Sequence, residues 1–234
     1  MTNTITVFPY KPFEINDGIT LLNFQNIDEF SSLIFRINKL KNGETFYDDT
    51  NRIIHFYTND NDSIEEHLKD ISFIGDLGSF NLNASSQMKI ILKKIIEDSQ
   101  IMLNEIEKVN TDLNSVVFDS ITRYSLPLTL DMFANYEKLL KSKDIKIDFS
   151  NWTNYCDKLM DVISFYSDFT NKKLLIFNNI GRLLNVNQLN EIHTYLKSVD
   201  LKLVSLESYP MIFKEKKLNA KVYSIDNDHV RFDY

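Results

Sequence analysis

The apolar positions change their period twice along the chain, dividing it into three stretches. In residues 1–83 they mostly alternate or run together. Ile5–Phe8 and Pro12–Ile15 read as two short strands, with Asp17-Gly18 as a turn. Ile19–Phe24 (ITLLNF) reads as a buried strand. Asn26 or Asp28 is placed to cap a helix whose apolar positions Ile27, Phe30, Leu33, Ile34 and Ile37 are three and four apart, and Asn42-Gly43 ends it. Ile53–Tyr57 predicts a strand, residues 59–70 a polar turn and short helix, and Ile71–Ile74 another strand.

From 84 to 169 the period becomes helical. Met88, Leu92, Ile95, Ser99, Met102, Ile106, Val109, Leu113 and Val116 alternate spacings of four and three, a heptad seam. No Gly or Pro interrupts it between Ala84 and Leu126; Asn110-Thr111-Asp112 is the candidate break, and Pro127 ends the segment. Thr129 is placed to cap a second helix over 130–142. A third, over 151–169, sets Trp152, Tyr155, Leu159, Ile163 and Tyr166 on one stripe. From 171 onward alternation returns: a buried strand Leu174–Phe177, a helix over 187–198, and strands Leu201–Leu206, Lys221–Ile225 and Val230–Phe232. Strand, helix and strand joined by short linkers predict a parallel crossover. The expected fold class is therefore α/β: a discontinuous core from residues 1–83 and 170–234, with a helical arm over 84–169 inserted in it.

Composition narrows the classes. The chain has 234 residues, 43% hydrophobic and 25% charged, enough for a core without covalent staples. Five glycines and four prolines are too few for a barrel or sandwich of many hairpins. The single cysteine, Cys156, excludes an intrachain disulfide and a cysteine zinc site, and it fits a reducing cytoplasm. The first ten residues do not read as a signal peptide, and the longest apolar runs are too short to span a bilayer. Net charge is −7, but it is uneven: residues 1–83 sum to −7, 84–169 to −3 and 172–234 to +3. A polyanion site must then be a local patch.

Catalytic motifs fail one by one. After the strand 19–24 a phosphate-binding loop would need glycines and Lys-Ser/Thr, whereas Gln25-Asn26-Ile27-Asp28-Glu29-Phe30 offers no glycine, no lysine and two carboxylates. His55, His67, His193 and His229 lack ligand spacing, and His193 on its helix reads as a surface residue or a satisfied core histidine. Cys156 sits mid-helix as a buried thiol. The acidic groups Asp48-Asp49, Asp60/Asp62, Glu65-Glu66 and Asp226/Asp228 lack the glycine and terminal glutamate of a calcium loop and read as solvated turns. Two basic clusters remain. Lys138, Lys141, Lys143 and Lys146 form one; Lys214, Lys216, Lys217 and Lys221 form the other. Either is a solvated face or a sequence-independent contact to duplex phosphates.

Two stretches carry a resemblance. Gly18–Ile37 resembles the strand, non-glycine turn and helix of the type II-A CRISPR-associated spacer-acquisition family, Csn-two. Thr170–Leu206 resembles that family's lysine-led strand, Asn-x-Gly turn (here Asn179-Ile180-Gly181), helix and second strand, which ends at an acidic residue, Glu207. Asp76–Leu82 with Ala84-Ser85-Ser86, and Lys138–Asp148, fit the same pattern. The resemblance implies a core like a degenerate nucleotide-binding fold and a helical leg. It also implies a ring-shaped homotetramer that binds ends of linear double-stranded DNA in a positive central hole. Such a protein acts beside the CRISPR integrase complex and effector nuclease in antiviral defence, without enzymatic activity and without nucleotide. The DNA-binding candidates are Lys138, Lys141, Lys143 and Lys146, then Lys172 and Lys173. Calcium enters by resemblance alone. The stretch 121–135, where the family carries an acidic run, holds Arg123 and a single carboxylate, Asp131, so the metal ligands stay unassigned. The alternatives are a helical adaptor that touches no DNA, using the 88–116 seam, and a nucleotide hydrolase or nuclease, which would need the missing phosphate loop or clustered carboxylates.

Overall fold

The computed structural model describes residues 3–42, 54–57, 69–132, 136–208 and 217–234. The chain divides into two compact units, 1–80 with 150–234, and 81–149.

The first unit is built on a six-stranded sheet. Its members are β3 (Gly18–Phe24), β5 (Ile71–Asp76), β6 (Leu174–Asn178), β7 (Lys202–Glu207), β8 (Lys221–Ile225) and β9 (Arg231–Asp233), in the order β5-β6-β7-β3-β8-β9. All neighbours are parallel except β8 and β9. Every residue of β3 is buried, as a seven-residue run with a single interior polar pair, Thr20 and Asn23, requires of a central strand. The expected parallel crossover is present: β6 leads through α6 (Val186–Ser198) to β7 beside it. The strands β1 (Asn3–Val7) and β2 (Phe13–Ile15) do not join this sheet. They pair antiparallel with each other, and β1 with β4 (Ile54–Tyr57), in a separate three-stranded sheet.

Alternation decides what covers each face. Leu22, Phe24, Ile71, Leu174, Ile176, Val204, Leu206, Tyr223 and Ile225 point to one core, shared with Ile5, Val7, Phe13 and Ile15 of the small sheet and Leu33 and Ile37 of α1 (Ile27–Lys41). The intervening residues, such as Leu21, Leu175, Phe177 and Leu203, are also buried. On that side α6 packs on β3 and β7, and α5 (Tyr155–Phe169) packs on α6. Tyr223 pins the two sheets together. Its ring meets Phe13 edge-on at 5.2 Å, and its hydroxyl accepts from Glu14 N and donates to Glu14 O, both at 3.1 Å. The Arg231 guanidinium stacks over both rings, at 4.5 and 4.6 Å, and donates to the carbonyls of Lys11 and Pro12.

The third predicted helix therefore belongs to the core and not to the arm. Its stripe of Leu159, Val162, Ile163, Phe165 and Tyr166 is buried, and Tyr166 accepts a 2.7 Å hydrogen bond from Ser72 of β5. It starts at Tyr155 rather than 151, because Asn154 and Asp157 form a reciprocal capping box there.

The second unit holds α2 (Ser85–Ser99), a 3-10 turn over Gln100–Met102, α3 (Leu103–Ile121) and α4 (Tyr136–Ser142). The seam is not one continuous helix. The interruption falls at 100–102, where the Ser99 hydroxyl bonds back to the Ile95 carbonyl. Asn110 is not a break: Asn110 and Asn114 lie one turn apart and both donate to the Met132 carbonyl, at 3.1 and 2.9 Å. Residues 129–132 are not helical, so Thr129 caps nothing. Asn83 grips the Ile147 backbone in both directions at 2.9 Å, tying 147 to the chain just before α2.

The Tyr223 pin is testable by urea unfolding followed by circular dichroism. Tyr223→Phe removes the hydroxyl pair with Glu14 and is expected to cost about 1–2 kcal/mol. Tyr223→Ala also empties the aromatic site and is expected to cost about 3–5 kcal/mol. A Phe variant as stable as the parent would show that the hydroxyl contributes nothing.

Candidate functional site

In open parallel sheets, ligands usually bind beyond the carboxyl ends of the strands, where helix N-termini present free N–H groups. At this edge the chain uses those donors itself. After β3, Asn26 Oδ1 accepts from the backbone N–H of Asp28 at 2.9 Å and of Glu29 at 3.3 Å. Glu29 in turn accepts from the Tyr10 hydroxyl at 2.8 Å and lies 2.8 Å from His229 Nδ1. Burial and this carboxylate push the Tyr10 hydroxyl well above the ordinary tyrosine range. After β6, Asn179 adopts the left-handed conformation, with φ 56°, and its Oδ1 accepts from Ser208 N. Ile180 N donates to Ser205 Oγ at 3.2 Å. Gly181 N donates to Glu207 Oε1 at 3.0 Å, and Ser205 Oγ donates to the same oxygen at 2.6 Å. Glu207 is fully buried. A buried carboxylate of the protein therefore takes up the backbone N–H that this turn presents.

The predicted DNA-contact lysines fall in both units. Lys138 and Lys141 lie on α4, with Lys143 and Lys146 just beyond it, and all four are exposed. Lys141 Nζ lies 2.5 Å from Glu137 Oε1 and Lys146 Nζ lies 2.5 Å from Asp144 Oδ2. With Glu137 counted, the run 137–146 has four lysines against two carboxylates, a net +2. The Lys141 contact holds the Glu137 carboxyl below the usual range. Lys172 and Lys173 lie in the first unit, ahead of β6. Lys172 Nζ donates to the Lys69 carbonyl, and burial pulls its ammonium below the ordinary lysine range against the opposing pull of Asp70. Lys173 pairs with Asp200 at 2.9 Å. The fold thus brings the first four together and sets Lys172 and Lys173 at the amino end of the sheet.

In the second basic cluster, Lys221 starts β8 with its ammonium 5.3 Å from the Tyr223 ring centre, and Lys217 is exposed. Lys214 and Lys216 lie outside the described residues, as do Asp48-Asp49, Asp60/Asp62, Glu65-Glu66 and His67. Asp226 accepts from the N–H groups of Asp228 and Val230, both at 2.9 Å, so that loop is a self-bonded turn. Arg123 and Asp131 are exposed. Among the described residues, no group of three or more His, Cys, Asp or Glu is placed to hold a metal ion. Cys156 is buried, and burial followed by the charges of Glu191 and Asp157 raises its thiol, the opposite of a reactive cysteine.

His193 proves to be the satisfied core histidine. Its Nδ1 accepts from Ile19 N at 3.1 Å. Gly18, with φ +88°, admits the ring: a Cβ there would lie 2.6 Å from His193 Nδ1. Lys197 and Lys202, which share a cleft with this histidine, were not singled out by motif reasoning. The available signal was positional, since β7 and β8 each begin with a lysine.

Burial, followed by the charge of Lys197, lowers the His193 imidazole below the ordinary histidine value. The unfolded chain then binds this proton more tightly than the folded one. His193 therefore contributes stability above its unfolded value of about 6.5, lost as pH falls below it. The melting temperature is expected to drop more steeply below about pH 6.5 in the parent than in His193→Gln. Parallel melting curves for the two proteins would remove His193 from the acid transition.

Three comparisons place the chain. The sequence profile described as CRISPR-associated protein Csn2 matches residues 47–229. CRISPR-associated protein Csn2 of Enterococcus faecalis is 22% identical over 225 residues, covering 93% of this chain and 92% of its own. Csn2 of Streptococcus agalactiae is 22% identical over 190 residues, covering 75% and 81%. The crystal structure of Stu0660 of Streptococcus thermophilus shares the fold, with a TM-score of 0.56 at 15% identity, over all of this chain and 77% of that one. With a family profile matching well over half of its length, and with the expected α/β core, the chain belongs to the CRISPR-associated Csn2 family.

Proposed function

We propose that this chain binds the ends of linear double-stranded DNA during CRISPR spacer acquisition, as a ring of four copies with the duplex in a positive central hole, and that it has no enzymatic activity of its own. It works beside the integrase complex and the effector nuclease, in the cytoplasm. Family membership supports the setting. The observation that carries the DNA reading is the exposed lysine run Lys138, Lys141, Lys143 and Lys146, two of whose members are held by carboxylates from their own short segment. Such exposed pairs are worth little and open readily to a phosphate. The self-filled turns after β3 and β6 support a protein that takes neither nucleotide nor a hydrolytic role. Calcium has no ligand set among the described residues, so the proposal does without it.

Assembly is supported by α3, whose seam leaves Val109 and Val116 63% and 64% exposed. A tetramer is expected by light scattering at micromolar concentration, and a stable monomer there would defeat the ring.

The DNA mode follows from charge. Four copies at −7 each sum to −28, so the outer surface repels a duplex and only a local positive zone attracts it. Linear duplex is expected to bind without sequence preference, and covalently closed circles only weakly. In Lys141→Glu with Lys143→Glu the slope of log affinity against log salt is expected to shrink by roughly one unit per lost contact. Equal affinity for closed and linear DNA would overturn threading from an end, and an unchanged slope would remove these lysines from the site.

A further inference from the structure

At the edge of the sheet opposite the self-filled turns there is an open cleft of about 360 Å³. It lies at the amino ends of β3, β7 and β8, where Gly18 pairs in register with Lys202, and Thr20 with Lys221. Three lysines line it: Lys197 from the last turn of α6, Lys202 at the start of β7 and Lys221 at the start of β8. Asp17 is the one carboxylate of the lining, 3.3 Å from Lys202 Nζ. The charged lining therefore sums to +2 on a chain whose total is −7.

The cleft is built, not merely lined. Asn190 of α6 clamps the loop that carries its wall: its Nδ2 donates to the Lys217 carbonyl at 3.0 Å, and its Oδ1 accepts from Asn219 N at 2.8 Å. Lys202 is held with only 15% of its side chain exposed. His193 is fixed as well. Because Nδ1 accepts the Ile19 N–H, the neutral ring carries its proton on Nε2, a donor. The lowered imidazole keeps that neutral form at physiological pH. Lysines without arginine suit a compact anion taken as a point charge, not a planar carboxylate taken by a fork. A lining of +2 matches a dianion.

We propose that this cleft is a phosphate site, which takes inorganic phosphate or a terminal phosphate monoester through Lys197, Lys202 and Lys221, with His193 Nε2–H as a neutral donor. The proposal does not rest on the DNA reading, since the ligand chemistry is the same for a small free phosphate compound and for the 5′-phosphate of a DNA terminus.

The test is calorimetric titration of the full chain with inorganic phosphate at constant ionic strength and pH 8, where phosphate is a dianion. Saturable binding at one site per chain is expected, with Kd of about 1 mM or tighter. Lys197→Gln and Lys202→Gln are each expected to weaken it roughly tenfold or more. Lys93→Gln, an exposed lysine of α2, is expected to leave it unchanged. Lys197 is exposed, so its variant keeps the test valid if Lys202→Gln fails to fold. A second titration compares short duplexes ending in 5′-phosphate and 5′-hydroxyl. Tighter binding of the phosphorylated duplex, lost in Lys197→Gln, identifies the ligand as a DNA terminus. Equal binding of the two duplexes, with inorganic phosphate still bound, identifies a small free phosphate compound. No saturation below about 10 mM phosphate, or equal weakening by all three substitutions, overturns the site.

Discussion

β3 cannot be satisfied by anything near it in the chain. It is buried along its whole length, and each of its peptide groups needs a partner away from water. Those partners are β7 on one side and β8 on the other, both from the last third of the sequence. The core therefore closes only when the two ends of the chain meet. The entropic cost of closing a loop grows only with the logarithm of its length, so everything between β3 and β7 could lengthen at little expense to the sheet. That tolerance explains why a separate unit over 81–149 can stand inside a single α/β core. The Tyr223 pin and the seat of His193 depend on the same closure. Each joins an N-terminal strand to an element from the far end.

The core was legible because burial writes itself into sequence as runs and periods. Leu174–Phe177 and Ile19–Phe24 could hardly be anything but buried strands, and the crossover between β6 and β7 followed from the helix between them. The misreadings share a cause. Amphipathic period identifies a helix but does not say what its apolar stripe faces. The stripe of α5 was assigned to the arm although its residues fill the core beside α6. The seam over 88–116 points to a break at Asn110-Thr111-Asp112 if anywhere, yet the interruption falls at Gln100–Met102, with a serine back-bonding just before it. The separate sheet of β1, β2 and β4 was equally hidden, since short strands do not announce their partners.

The site was legible only as an absence. Missing glycine and lysine after β3 said that no phosphate loop would form. Asn26 on the first N–H groups of α1 takes its place there, and the Glu207 bond to Gly181 after β6 is hidden in the sequence because neighbouring strands bring the two residues together. The lysines were found by local density, which sees Lys138–Lys146 as one run. It sees Lys221 in a second run but cannot join it to Lys197 and Lys202, which are far away in sequence and share its cleft only because three parallel strands begin there.

The charge distribution then has a direction along the sheet. At the carboxyl edge the donors are spent on Asn26 and Glu207, and Glu29 adds a further carboxylate. At the amino edge, Lys173 precedes β6 and lysines begin β7 and β8. This reverses the polarity with which open α/β sheets usually meet anions. At physiological ionic strength a charge is felt over only about 8 Å, so an approaching phosphate senses the edge it meets and not the total of −7. The carboxyl edge repels it and the amino edge attracts it, although both belong to the same few strands. The donors at the carboxyl edge are backbone N–H groups already taken by the protein's own side chains, whereas the positive groups at the amino edge are lysine side chains. Side chains can be gained or lost one residue at a time without disturbing the turns that hold the sheet together.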